Sequence, residues 1–160
     1  MTVEDIPETG GHYDLAADAA TREAVARLAG LRALDRFEAA LDLSRRGEGI
    51  VVRGEVRARV GQSCVVTLEP IDSDVVETVE VTFAPSSEDA APTSKYLKPT
   101  DELPEPIEDG IVDLGAIATE FLILALEPYP RKPGAKIAIQ PEDGDGQNPF
   151  GVLAALKKQL

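Results

Sequence analysis

Ile50, Val52, Gly54, Val56, Ala58 and Val60, and then Cys64, Val66 and Leu68, are all even-numbered and all apolar or small. Arg53, Glu55, Arg57, Arg59 and Thr67 lie between them at odd positions. A period of two belongs to a β-strand, whose successive side chains point to opposite faces, so the even set predicts a core face. A straight strand over 50–68 would span roughly 60 Å at ~3.3 Å per residue, too long for a small domain. A bend is therefore expected at Gly61-Gln62-Ser63. The same period recurs earlier, with Phe37, Ala39, Leu41 and Leu43 alternating with Arg36, Glu38, Ala40 and Asp42. It recurs later, with Val75, Val79, Val81 and Phe83 opposite Thr78, Glu80 and Thr82. Turn-forming residues at 44–49 and at Pro70 and 72–74 separate the three runs, and consecutive strands joined by short turns predict an antiparallel meander.

Elsewhere the period lengthens. Ala24, Val25, Leu28 and Leu31 follow helical spacing behind the capping residues Asp18 and Thr21, and Gly30 permits a left-handed stop, which predicts a short helix over 19–29. Asp113 caps a second helix, over 113–127, in which Leu114, Ile117, Ala118, Phe121, Leu122, Leu124 and Ala125 fill more than one stripe before Pro128. Such a helix packs on the sheet. Near the end of the chain Asn148 is a cap and Pro149 a first helical residue, predicting a short helix over about 149–158. Its Phe150, Val152, Leu153 and Leu156 form an apolar side that must dock on something, in cis or on a partner.

Two segments resist regular structure. Residues 85–109 mix five prolines with many acids, and so little apolar surface cannot offset an ordering cost of ~1–2 kcal/mol per residue, so a mobile acidic loop is expected. Tyr129-Pro130-Arg131-Lys132-Pro133-Gly134 reads as an exposed basic connector, since its prolines remove donors and favour extended geometry. There is no internal repeat and no domain-sized linker, so residues 1–160 are expected to form a single domain. The fold class is α+β: a bent antiparallel sheet of about four or five strands, whose curl could extend to a barrel, with one packed helix and short terminal helices outside it.

Composition narrows the chemistry. The chain has 160 residues, with 29 Asp plus Glu against 16 Lys plus Arg, a formal charge of -13 at pH 7. Whole-molecule charge thus disfavours non-specific polyanion binding, and any nucleic-acid contact must use a local patch. One Cys, one His and no Trp cannot supply a Cys/His zinc site, an intramolecular disulfide or a Cys-x-x-Cys redox pair. Acids at Glu4, Asp5, Glu8, Asp14 and Asp18 replace the basic start and apolar run of an export signal, so a cytoplasmic location is expected. The longest apolar run, 121–126, is far short of the ~20 residues that cross a bilayer, so no membrane partner is expected.

Three features invite a chemical reading. Cys64 has the inward register of a small core residue, and the one imidazole, His12, lies in a polar lead, so a structural thiol is favoured over a nucleophile. The acids of 88–109 and the Asp143-Gly144-Asp145-Gly146 fragment lack the ligand spacing of a calcium loop, and no metal or cofactor is expected. The arginines carry the stronger signal. Arg45, Arg46, Arg53, Arg57 and Arg59 meet only Glu48 and Glu55 in that stretch, a local +3 in an acidic chain. Strand period puts Arg53, Arg57 and Arg59 on one face, where side chains four residues apart stand ~13 Å apart and can engage successive RNA phosphates. The competing reading is a solvated face paired with acids such as Glu38, Glu77 or Glu80.

The run Gly54-Glu55-Val56-Arg57-Ala58-Arg59-Val60-Gly61-Gln62-Ser63-Cys64-Val65-Val66-Thr67-Leu68-Glu69-Pro70, followed by the strand over 75–83, resembles the YceD-type family, also called large ribosomal RNA subunit accumulation proteins. Asp109-Gly110-Ile111-Val112-Asp113-Leu114-Gly115, Pro128-Tyr129-Pro130-Arg131-Lys132-Pro133-Gly134 and Asn148-Pro149-Phe150-Gly151-Val152-Leu153 are similar to its proteobacterial branch. Other branches carry two Cys around the Leu-Glu-Pro motif; this chain has Cys64 alone, so metal binding is not carried over. The resemblance implies a non-enzymatic role in accumulation of large-subunit ribosomal RNA, through binding of precursor rRNA or help in subunit assembly. The expected RNA-binding residues are Arg53, Arg57 and Arg59, extended by Arg45, Arg46, Arg131 and Lys132, with Phe150, Val152, Leu153 and Leu156 as a partner-binding set. The alternative is an acidic protein-binding module in which residues 84–109 hold a basic ribosomal protein soluble.

Overall fold

The computed structural model describes residues 2–47, 49–85, 104–107 and 110–136. Strand β1 (Gly11–Ala16), helix α1 (Ala19–Leu28), strands β2 (Ala33–Arg46), β3 (Gly49–Ser63), β4 (Pro70–Pro85) and β5 (Glu105–Ile107), and helix α2 (Leu114–Ala125) follow in chain order. The strands form one five-stranded sheet in the order β1-β2-β3-β4-β5. β1 through β4 pair antiparallel, and β5 runs parallel to β4. The wholly antiparallel, barrel-like sheet expected from the sequence is therefore corrected to an open, mixed one. Closure needs an unbroken ring of pairing, and here the short strands β1 and β5 end the sheet at opposite edges.

The alternation in β3 is what organises the core. Ile50, Val52, Val56 and Ala58 are 0% exposed. They face Phe37, Ala39, Leu41 and Leu43 of β2 and Val79 and Phe83 of β4 in the same cluster. Burying each of the larger aliphatic side chains stabilises the fold by about 1.5–3 kcal/mol. Both helices cover this face: α2 contributes Leu114, Ile117, Ala118 and Leu122, and α1 contributes Val25 and Ala26. The placement of α1 outside the body is thus corrected. Its spacing and its Asp18 cap, which accepts from the Thr21 amide at 2.7 Å, are as read, but Val25 and Ala26 are core residues.

The expected bend is also replaced. β3 ends at Ser63, and the chain reverses through 64–69, where the Cys64 amide donates to the Glu69 carbonyl at 2.8 Å and the Leu68 amide to the Cys64 carbonyl at 2.9 Å. Even-numbered burial stops there: Cys64 is buried, whereas Leu68, at φ +61°, is 76% exposed. At the other end of β3, Arg46 pairs with Gly49 in register across a two-residue connection that begins with Gly47 at φ +64°.

Two strands were not anticipated. β1 lies in the polar lead, its half-buried Tyr13 and Leu15 facing the core side and His12 and Asp14 exposed. β5 lies within the span read as an acidic loop. The rest of that loop, residues 86–103 and 108–109, and the helix over 149–158 with Phe150, Val152, Leu153 and Leu156 lie outside the described residues.

Gly54 marks the closest approach between strands. A Cβ placed there would overlap the Ala40 carbonyl oxygen and lie 2.9 Å from Leu41 Cα, both backbone atoms that cannot rotate away. Gly54→Ala is therefore expected to destabilise the chain by about 1–3 kcal/mol, read as a lower urea midpoint at unchanged slope. An unchanged midpoint would mean that β2 and β3 are not so closely apposed.

Candidate functional site

Because the even residues of β3 face the core, the odd ones face away from it, and the register assigns each a neighbour. Across the open face, Arg36 of β2, Arg59 of β3 and Asp74 of β4 form one row, and Glu38, Arg57 and Val76 the next. Asp14 of β1, Ala40, Glu55 and Thr78 follow, and then His12, Asp42, Arg53 and Glu80. The structure thus brings Arg53, Arg57 and Arg59 together as the strand period requires. It adds Arg36, which the count along the chain missed because it belongs to the neighbouring strand. It also interleaves these four arginines with Asp14, Glu38, Asp42, Glu55, Asp74 and Glu80.

Each arginine is held by a carboxylate. Arg53 donates to Glu80 through Nε at 3.1 Å and Nη2 at 2.7 Å, and Arg57 donates to Glu55. Arg59 donates to Asp74 at 2.7 Å, and Arg36 lies 3.5 Å from the same carboxylate. All of these pairs are solvent-accessible, so each contributes about 0–1 kcal/mol and can exchange partners cheaply. His12 Nδ1 sits 2.7 Å from Asp42 and Nε2 3.3 Å from Asp14. The hydrogen bond with Asp42 foremost raises its pKa above the ordinary imidazole value, which favours a further cation on this face at mildly acidic pH.

Of the other basic candidates, Arg46 has the register of the open face two rows beyond Asp42, and the rest lie off it. Arg45 has the register of the core-side residues and donates to the carbonyls of Ile6 at 3.0 Å and Val3 at 2.6 Å, tying the N-terminal segment to the sheet. Arg46 and Arg131 have no side-chain partner among the described residues. Lys132 pairs with Glu69 at 3.0 Å in the connector after α2.

That connector closes a corner around Cys64. The Val65 amide donates to the Pro130 carbonyl at 2.9 Å, and Gln62 Nε2 to the Glu127 carbonyl at 3.0 Å. The Cys64 Sγ accepts from the backbone amides of Thr67 and Lys132, each at 3.4 Å. Those hydrogen bonds, the Lys132 amide first and then Thr67, lower the thiol pKa from its ordinary value to about 6. The thiol is fully buried, so the arrangement locks the turn to the connector and offers no reactant an approach.

On the opposite side of the sheet, α1 and α2 lie over different strands and leave a groove of about 910 Å³ between them. Leu15, Val25, Phe37 and Ala39 line it, and Leu28, Ile123 and Leu124 stand at its margin. The sequence could not announce this groove, since it arises from the spacing of two helices far apart in the chain. Among the described residues no three His, Cys, Asp or Glu side chains are grouped to hold a metal ion, and no helix is long and apolar enough to cross a membrane.

Comparison with known proteins places the chain in a family. The family model described as "Large ribosomal RNA subunit accumulation protein YceD" matches residues 52–157. No curated protein and no solved structure matches the chain.

The Cys64 corner carries a pH signature. In the unfolded chain a thiol titrates at about 8.5, and in the fold Cys64 titrates at about 6. The fold therefore binds fewer protons than the unfolded chain between these values, and its stability rises with pH across that window. The contribution is complete above the unfolded pKa and disappears as the pH falls through about 6. Urea unfolding at about pH 6, 7.5 and 9 should show this rise in the parent chain and a flatter profile in Cys64→Ala. Parallel profiles would mean that Cys64 does not titrate as its hydrogen bonds imply.

Proposed function

The chain belongs to the YceD family of large ribosomal RNA subunit accumulation proteins, and on that premise we propose that it is a non-enzymatic factor that binds precursor rRNA or a large-subunit assembly intermediate. The observation that supports this most is the position of the family match. Residues 52–157 include β3 with Arg53, Arg57 and Arg59, β4 with their partners Asp74 and Glu80, and the connector with Arg131 and Lys132. RNA contact falls on the open face of the sheet, with Arg53, Arg57 and Arg59 as phosphate ligands. Arg36 joins them, Arg46 extends the same face two rows beyond Asp42, and Arg131 and Lys132 are additions from the connector.

The physical route is ion-pair exchange. An extended strand holds guanidinium groups at fixed intervals, and phosphate accepts from their planar fork as carboxylate does. Releasing Glu80, Glu55 or Asp74 costs about 0–1 kcal/mol per pair, well below the ~1.5–3 kcal/mol typical of a hydrogen bond to a charged group. The interleaved carboxylates repel polyanions that do not place their phosphates at the arginines. Such a face binds a shaped RNA and rejects a generic one.

A second reading draws on the same face and on the net charge of -13. The six carboxylates, together with the acidic composition of residues 84–109, suit a basic ribosomal protein held before assembly, with fast and salt-sensitive association.

Crosslinking in cells, with bound RNA and bound protein identified from one sample, separates the two readings. The RNA reading expects large-subunit precursor rRNA. With purified chain, Arg57→Glu plus Arg59→Glu should reduce the slope of log affinity against log salt by about 2, at ~0.9 per phosphate contact, without changing the urea midpoint by more than about 1 kcal/mol equivalent. Recovery of ribosomal proteins without RNA, or an unchanged salt slope in a folded double variant, would overturn the assignment.

A further inference from the structure

We infer that the groove between α1 and α2 is the docking site for residues 149–158 of this same chain, bound in cis. The inference stands apart from the RNA reading and rests on the groove, its charge and the route of the chain.

The groove is apolar in its floor and acidic at its rim. Leu28 and Leu124 are 72% and 73% exposed at its margin, and Ile123 is 38% exposed beside them. Asp18, Asp113 and Glu120 are its charged lining side chains, and no Lys or Arg lines it; Glu38, which borders it through β2, turns its carboxylate to the arginine face. Asp18 and Asp113 are fixed there as helix caps, and the Thr21 hydrogen bonds keep Asp18 ionised by lowering its pKa. The segment from Pro149 to the last residue has the complementary composition. Phe150, Val152, Leu153 and Leu156 supply apolar anchors, Lys157 and Lys158 supply positive charge, and there is no Asp or Glu. An amphipathic helix in a groove presents such anchors in this way.

The last described residues, through Lys136, follow Lys132, whose amide meets Cys64, and the Ala135 amide turns back to the Lys132 carbonyl. α2 runs into Glu127, whose carbonyl accepts from Gln62, and the segment after α1 returns through the Arg32 amide to the Gly61 carbonyl at 2.8 Å. Both helices thus finish at the corner around residues 61–64, where Lys132 meets Cys64. From Lys136 the linker of residues 137–148 can reach about 40 Å when extended, about twice the ~18 Å length of a helix of α2's size. A tether this short gives an effective concentration near the millimolar range, so docking in cis outcompetes docking between dilute chains.

The test is nuclear magnetic resonance on the full-length chain. Cross-peaks are expected between the Phe150 ring and the methyl groups of Leu28, Ile123 and Leu124, and they should be absent from an isotope-filtered sample that mixes labelled and unlabelled chains. The Phe150 and Leu153 amides should exchange at least ~10-fold more slowly than an unfolded segment. Leu124→Asp, at an exposed position, and Phe150→Asp should each abolish the cross-peaks and the protection while the β3 signals stay in place. Cross-peaks confined to the mixed sample would assign the groove to a second copy and overturn the inference. Unprotected amides with no cross-peaks to the groove would overturn it too, leaving the groove to a separate partner.

Discussion

Everything in this molecule hangs on the one-sided burial of β3. With strands on both flanks and two helices over one face, Ile50, Val52, Val56, Ala58 and Val60 have no solvent contact to lose by staying in register and a core to lose by slipping. A slip of one residue would exchange that whole set for Arg53, Glu55, Arg57 and Arg59, which no apolar core accepts. The arginine face is therefore a consequence of the core. The alternation that buries the valines also fixes the spacing and direction of the guanidinium groups.

That coupling explains what the sequence made legible and what it did not. Period, caps and breakers in β2, α1 and α2 are local properties, and local reasoning found them within a few residues; the β3–β4 boundary it misplaced, since Pro70 and 72–74, read as a turn, belong to β4, where β3 pairing holds them extended. β1 escaped because six residues with only Tyr13 and Leu15 on the inner side carry too little apolar signal to stand out from a polar lead. β5 escaped because three residues among prolines become a strand only by leaning on Phe83, Ala84 and Pro85. The openness of the sheet, the burial of Val25 and Ala26 and the groove between the helices depend on where distant segments meet. No window of sequence contains that information.

The charge pattern teaches the same lesson. Counted along the chain, residues 45–59 are basic; counted across the sheet, the same arginines stand among carboxylates from β1, β2 and β4. Linear neighbours decide the register, but lateral neighbours decide the field. Arg45 shows how far the two can diverge, since it is adjacent in sequence to Arg46 yet takes the core-side register and holds two backbone carbonyls of the N-terminal segment. Cys64 is a parallel case. Its parity correctly predicted burial, but its acceptor role depends on the Lys132 amide, 68 positions away.

Interleaving also changes what a basic face can do. A uniformly positive strip attracts any polyanion, and its affinity rises with every added charge. On this face Arg36, Arg53, Arg57 and Arg59 each already have a carboxylate partner, and Asp74 serves both Arg36 and Arg59. A ligand must match the arginine positions closely enough to displace those partners, and wherever it fails to match it meets a carboxylate. For the RNA ligand proposed above, this would lower affinity in every case, but least where the phosphates fall at the right intervals. On such a surface, in a chain of charge -13, the selectivity of the proposed contact would come from the acids as much as from the arginines.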